Sequence, residues 1–384
     1  MFLDVTTRRN SKLIDVAFDL HQKGLVLPDT YILDVDAIES NASSLAKDAE
    51  KQGIRLFYMT KQFGRNPYVA QRIHDIGIEK AVVVDYKEAL IMMEQGLPLG
   101  NVGHLVQIPK QLLKRIMAYG AEFITIYSLE ALQQIIDVSV ELNIKQKVLV
   151  KVIETGDQIY EGQFGGFHLN ELPSIAKLSS KNKSVEIAGV TSFPCFLFDG
   201  KSKLTPTNNV QTIKKAKKIF EESGIEITEV NIPSATCHET IPLIKEIGGT
   251  QGEPGHALTG TTPLHAKLDL PEIPAMVYVS EISHNLDGKA YFYGGGYYRR
   301  GHLESVLIKN GDSVINDSVE SFSDENIDYY LSTSKEHSIG STVIAAFRTQ
   351  IFVTRSDVAV VSGIQKGIPK IEGIYDSLGN LIRR

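Results

Sequence analysis

From about residue 55 to residue 255 the chain alternates short apolar runs with longer amphipathic ones. The short runs fall at 55–60, 80–85, 102–105, 123–126, 147–152, 186–191, 227–232 and 250–253. Most are apolar and β-branched at consecutive positions, the pattern of strands buried on both faces. Between them, stretches such as 111–119, 129–142 and 210–223 carry apolar residues at helical spacing. Eight strands alternating with helices predict an α/β fold, a (β/α)8 barrel of the TIM type. An open, doubly wound sheet has the same linear pattern, because strand order is invisible in sequence. After Pro271 the helical period is lost, and runs at 276–282, 290–293, 343–347 and 358–361 alternate with Gly, Asn and Asp turns. That predicts a smaller β-rich C-terminal domain. The expected division is an N-terminal segment, 1–36, pairing with the C-terminal domain, a barrel over 37–268, and the β-rich domain over 269–384.

Composition narrows the classes. At 384 residues the chain is too long for one ordinary domain. With 42% hydrophobic and 22% charged residues, a packed core is expected, not disorder. A net charge of −6 and the lack of a long basic run give no electrostatic case for nucleic acid. No apolar stretch reaches the length of a bilayer span. The opening MFLDVTTRRNSKLIDVAF lacks the charged-then-apolar plan of a secretion signal. Cys195 and Cys237 are too few for a disulfide framework, so a cytoplasmic protein with reduced thiols is expected.

In a barrel of this kind functional groups gather at the carboxyl ends of the strands. Lys61 directly follows the first run, in RLFYMTKQFGRNP. A lysine held in a barrel mouth is desolvated, which lowers its pKa and leaves an amine able to attack an aldehyde. Taken alone it also reads as a solvated strand-end lysine. NIPSATCHET follows the seventh run, where a strand end leading into a helix start favours an anion; Ser234 and Thr236 there also read as helix caps. GEPGHALTG follows the eighth run and carries Glu253, Gly255 and His256. In the second domain, SEISHNLDGKAYFYGGGYYRRGH holds Tyr291, Tyr293, Tyr297 and Tyr298, which at alternating positions also read as a packed aromatic strand pair. Its triple glycine, 294–296, lacks the spacing of a phosphate-binding nucleotide loop. The histidines show no zinc spacing, so no metal is expected.

These motifs, in this order, resemble the alanine-racemase-like (fold-type III) family of pyridoxal-phosphate enzymes over most of the chain. YILDVDAIESNASSL is similar to that family's opening strand and helix, MTKQFGRNP to its lysine segment, and VVVDYKEALIMMEQGLP to its next strand and helix. GHLVQIPK resembles a strand-end motif of the small pyridoxal-phosphate-binding barrel proteins. TKQFGRNP, EPGHALTG, YGGGYYRRGH and FRTQIFVTRSD are shared with its YhfX-like branch. The resemblance implies pyridoxal 5'-phosphate as cofactor, held covalently by Lys61. It implies Ser234, Thr236, Gly255 and His256 around the phosphate, and His104 and Ser192 near the ring. Tyr293 is implied as a second acid/base, brought in from the other subunit of a homodimer.

Three departures bear on the chemistry. Glu253 stands where racemases of the family have an arginine beside the pyridine nitrogen; a carboxylate there stabilises a protonated ring and makes a stronger electron sink. Gln163 and Phe164 flank the place of an arginine that touches the cofactor's phenol oxygen, and Ser192 stands where a histidine often stacks. Arg348 and Arg355 are candidates for a substrate carboxylate, although arginines on an exposed strand are commonplace. The expected activity is amino-acid racemisation by Lys61 and Tyr293. Decarboxylation, D-amino-acid aldol or dehydratase chemistry, and a non-catalytic cofactor carrier are the alternatives.

Overall fold

The computed structural model describes residues 1–323 and 325–384. They form two compact units, one of residues 43–60 and 73–255, the other of residues 1–42, 61–72 and 256–384.

The first unit is a barrel of parallel strands: Arg55–Leu56 continued by Tyr58–Met59, then Ala81–Val83, Leu99–Val102, Phe123–Ile126, Gln146–Lys151, Val185–Thr191, Glu229–Asn231 and Gln251–Gly252. The first strand is interrupted at Phe57. Its first half pairs with Gln251–Gly252 and its second half with Ala81–Val83, so the ring closes on itself. Phe57 N donates to Gly252 O at 3.0 Å and Met59 N to Pro254 O at 2.9 Å across that seam. The (β/α)8 expectation therefore holds over the open sheet.

Local signals explain most element boundaries. Ser128 caps helix Leu129–Leu142, its side chain accepting from Ala131 N at 3.1 Å, and Asn143 at φ +52° ends it. The third strand lies upstream of the expected 102–105, at Leu99–Val102, because the chain turns at Gly103 with φ +89°. Inside the barrel, Phe57, Met59, Val82, Phe123, Leu149 and Ala188 form an apolar layer. At the amino ends of the strands Arg55 joins Glu122 at 2.6 Å and Glu229 at 2.9 Å, and Lys80 joins Glu122 at 2.8 Å. This network ties strands that are distant in sequence.

The second unit is built on a ten-stranded sheet. Thr30–Asp34 pairs antiparallel with Met276–Leu286 and parallel with Asp357–Ser362. Met276–Leu286 also pairs with Thr342–Ala345 and, past a bulge near Ile282, with Lys289–Tyr293. Two helices, Phe2–Arg9 and Ser11–Gln22, are not announced by the strand–helix alternation. Their Phe2, Leu13 and Phe18 pack with Ile32, Val277, Ile344 and Ala359 in one core. Among the described residues no helix is long and apolar enough to cross a membrane.

Candidate active site

Above the apolar layer the barrel interior turns polar, and the polar groups converge on one carboxylate. Glu253, one residue past the eighth strand, is buried. Its Oε1 accepts from Asn231 Nδ2 at 3.0 Å and from Asn101 Nδ2 at 3.5 Å. Asn231 is held in turn by Thr191, whose hydroxyl donates to its Oδ1 at 2.7 Å; Thr125 does the same for Asn101 at 2.8 Å. Both amides thus act on one oxygen. The other, Oε2, lies 3.6 Å from Nε2 of His104, whose ring is also buried and meets Phe193 edge-on at 5.6 Å. Asn101 and Asn231 escaped the sequence reading. The available signal was an asparagine inside an otherwise buried strand, where an unpaired amide is costly.

Beside this carboxylate is a cluster of donors. Ser234 and Ala235, just past the seventh strand, have φ of +88° and +50°. Consecutive left-handed residues without glycine are strained, and here side-chain hydrogen bonds hold them. Ser234 Oγ accepts from Cys195 N at 3.0 Å and Phe196 N at 2.9 Å and donates to Phe196 O at 3.0 Å. Its hydroxyl is therefore fully engaged, and only its N–H remains for a ligand. Thr236 Oγ1 accepts from Glu253 N at 2.9 Å and keeps its own proton to donate. Among the described residues the N–H groups of Ser234, Ala235, Thr236 and Gly255 donate to no protein acceptor. Ser192, buried after the sixth strand, accepts from Asn209 Nδ2 at 3.0 Å.

Lys61 leaves the first barrel strand one peptide bond after Thr60 and opens the 3₁₀ turn Lys61–Phe63, which belongs to the second unit. It is 9% exposed. His256 is in the same unit, its Nδ1 3.1 Å from Thr261 Oγ1. Burial, together with the charges of Arg348, Lys61 and His265, holds His256 well below its ordinary value and favours the neutral imidazole. Lys61 and Arg348 each lie within electrostatic reach of His256.

Arg355 donates to the carbonyls of Ile327 at 3.4 Å and Asp328 at 2.8 Å and lies over the Tyr329 ring at 5.1 Å, which occupies it as a loop clamp. Tyr293 is half-exposed on the strand Lys289–Tyr293, its ring 5.6 Å from Tyr330, while Ala290 and Phe292 on the opposite face are buried. Its carbonyl accepts from Tyr278 Oη at 3.0 Å and Ser280 Oγ at 2.7 Å. Arg299 is spent on the carbonyls of Ser323 and Asn326. The glycine run after Tyr293 has a packing role. A Cβ on Gly295 would stand 2.0 Å from Asp29 Oδ2, and one on Gly296 would stand 2.3 Å from the Tyr278 ring.

A model of the alanine racemase N-terminal domain matches residues 33–263, and one of the YhfX-like C-terminal domain matches residues 277–371. The chain belongs to the alanine-racemase-like family, in its YhfX-like branch. The uncharacterized protein YhfX of Escherichia coli (strain K12) is 43% identical over 383 residues, 99% of each chain. Among solved structures, an alanine racemase from Clostridium difficile 630 in complex with cycloserine superposes with a TM-score of 0.66 at 17% identity, covering 92% of this chain and 99% of that one. D-threonine aldolase from Filomicrobium marinum does so at 0.65 and 14% identity, covering 91% and 95%. At such identities the likeness is one of fold, which an alanine racemase and a D-threonine aldolase share.

Proposed function

We propose that this chain is a pyridoxal-phosphate enzyme acting at Cα of an amino acid, an amino-acid racemase with Lys61 and Tyr293 as its two bases. The observation that carries the reading is Glu253: a buried carboxylate with both amides on one oxygen, beside a cluster of unengaged N–H groups. That donor set fits the cofactor, with an acceptor for a pyridine N–H and amides for a phosphate. Enzymes of this fold family typically use the same cofactor. When bound, pyridoxal phosphate supplies an electron sink conjugated to the substrate Cα.

The remaining roles belong to the chain itself. Glu253 keeps a proton on the ring nitrogen. The amides of Ser234, Thr236, Gly255 and His256, with the Thr236 hydroxyl, take the phosphate. His104 and Ser192 would border the ring. Lys61 would hold the cofactor, and its amine would serve as the acid/base on one face of Cα. Tyr293 of a second copy in a homodimer serves the other face. Arg348 and Arg355 are the candidates for a substrate carboxylate, and Arg355 also holds two backbone carbonyls.

Decarboxylation or lyase chemistry is the second reading. It is favoured by Glu253, which would strengthen the ring as an electron sink, and by the fold shared with a D-threonine aldolase. A non-catalytic carrier would leave the Tyr293 strand without a use. The test is borohydride reduction with peptide mapping, joined to chirally resolved turnover of an amino-acid panel with CO2 and keto acids followed together. A pyridoxyl group on Lys61 and inversion without CO2 are expected. Label on another lysine, or none, sinks the assignment.

A further inference from the structure

The fifth barrel strand, Gln146–Lys151, ends on a lysine that the proposed chemistry does not use. Lys151 is 2% exposed. Its Nζ lies 3.2 Å from Tyr127 Oη, 3.4 Å from the Gln163 carbonyl oxygen and 4.5 Å from the centre of the Tyr127 ring. Among the described residues no carboxylate forms an ion pair with it. Every partner is a neutral dipole, and dipoles solvate a cation without neutralising it. Burial accordingly lowers the amine to about 8. A buried ammonium without a counter-charge is costly, and an arriving anion relieves that cost.

The surroundings are those of a built site. A Cβ on Gly165, at φ +143°, would stand 2.4 Å from the Tyr127 ring, and one on Gly166 would stand 3.1 Å from the Lys151 carbonyl oxygen. Phe167 N donates to that oxygen at 2.8 Å. The two glycines therefore let the QFGGF loop lie directly on the Lys151–Tyr127 pair. The Tyr127 hydroxyl donates to the His104 carbonyl, which links the lysine to the strand end beside Glu253. Of the three Nζ–H donors, two point at Tyr127 and Gln163, and the third is left for a ligand.

We propose that Lys151 is the cationic group of the barrel mouth that binds an anionic oxygen, carried either by the cofactor's phenol or by the carboxylate of the amino-acid substrate. The inference rests on the cofactor reading above. It assigns the cationic role near the ring to a strand-end lysine, in a chain whose aligned loop offers Gln163 and Phe164.

The experiment compares wild type, Lys151→Met and Lys151→Arg, each loaded with cofactor. One arm titrates the visible absorbance of the bound cofactor against pH without amino acid. Loss of a cation beside the phenol oxygen raises the midpoint by about one unit or more in Lys151→Met, and Lys151→Arg restores it. The other arm titrates acetate at fixed pH. If the carboxylate is the ligand, the absorbance midpoint stays put and acetate binds about tenfold more weakly to Lys151→Met, a loss on the order of 1.4 kcal/mol. Identical midpoints and acetate affinities in all three proteins overturn the inference and leave the functional reading intact. A wild type that takes up no cofactor overturns both. Wild type alone gives a further measure should Lys151→Met fail to fold. The pH midpoint of reductive methylation at Lys151 is expected to rise when cofactor, or cofactor with acetate, is added; an unmoved midpoint overturns the inference as well.

Discussion

Asn231 donates its side-chain amide to Glu253 Oε1 at 3.0 Å, so the seventh barrel strand holds the acid that ends the eighth. With Asn101 it commits Oε1 to the two amides, while Oε2 lies toward His104. Glu253→Gln keeps the shape and removes the charge. It is expected to slow Cα proton exchange about ten- to hundred-fold, the value of a charge-assisted hydrogen bond of about 1.5–3 kcal/mol. Asn231→Ala is expected to give a smaller loss with the cofactor still bound. Exchange measured in deuterated water checks both, and unchanged rates in Glu253→Gln at full cofactor occupancy would count against the pairing.

Tyr293 makes no side-chain hydrogen bond within its own chain among the described residues. If it serves the site of a second copy, Lys61→Ala and Tyr293→Phe subunits, each inactive alone, regain activity when mixed. Random pairing predicts up to about one quarter of wild type, because a mixed dimer has one intact site and one doubly broken site. No recovery after demonstrated subunit exchange would place the tyrosine in its own chain's site or outside the chemistry.

Gly295→Ala tests the packing of the glycine run. Asp29 is half-buried and accepts hydrogen bonds from Ser356 and, at 3.0 Å, from Tyr278. An added methyl group has no room against it. A loss of about 1–3 kcal/mol is expected, seen as a lowered thermal midpoint. Because Tyr293 stands two residues before Gly295, activity is expected to fall as well. A variant that melts like wild type would show that Asp29 yields easily.

Glu122 at the barrel base carries a pH dependence. Burial alone would raise its pKa, but the Lys80 hydrogen bond and the Arg55 and Lys80 charges outweigh it and hold the carboxyl below its ordinary value. A depressed folded-state pKa stabilises the fold above the unfolded value, and that contribution is lost as pH falls through the folded value. With Arg55 partly exposed, about 1 kcal/mol is the scale to expect. Denaturant midpoints of wild type and Glu122→Gln are therefore expected to converge as pH falls below the carboxylate range. A constant gap would remove Glu122 from the acid response.

Much of the barrel was legible because its signal is local. The run 123–126 and the helix 129–142 fall where periodicity and Ser128 place them. The motif GEPGHALTG placed Glu253 and Gly255 just past the eighth strand, where the fold has them; their roles came from the family resemblance. The strands 102–105 and 227–232 were misjudged in extent because backbone turns, as at Gly103, end a ladder without altering hydropathy.

The sequence by itself determined the alternation of strands and helices, the change to β structure after Pro271, and the strand-end positions of Lys61 and Glu253. Those follow from period, propensity and order along the chain, which act over a few residues. Only the tertiary structure decided that the ring closes through the two halves of the first strand. The fold also decided that Asn101 and Asn231 grip one oxygen of Glu253, that the Ser234 hydroxyl is consumed by residues 195 and 196, and that Lys151 is buried with no carboxylate ion pair among the described residues. Each of these joins groups far apart in sequence. What an amide, hydroxyl or amine does there depends on which partner the fold brings within about 3 Å, a distance no linear pattern encodes.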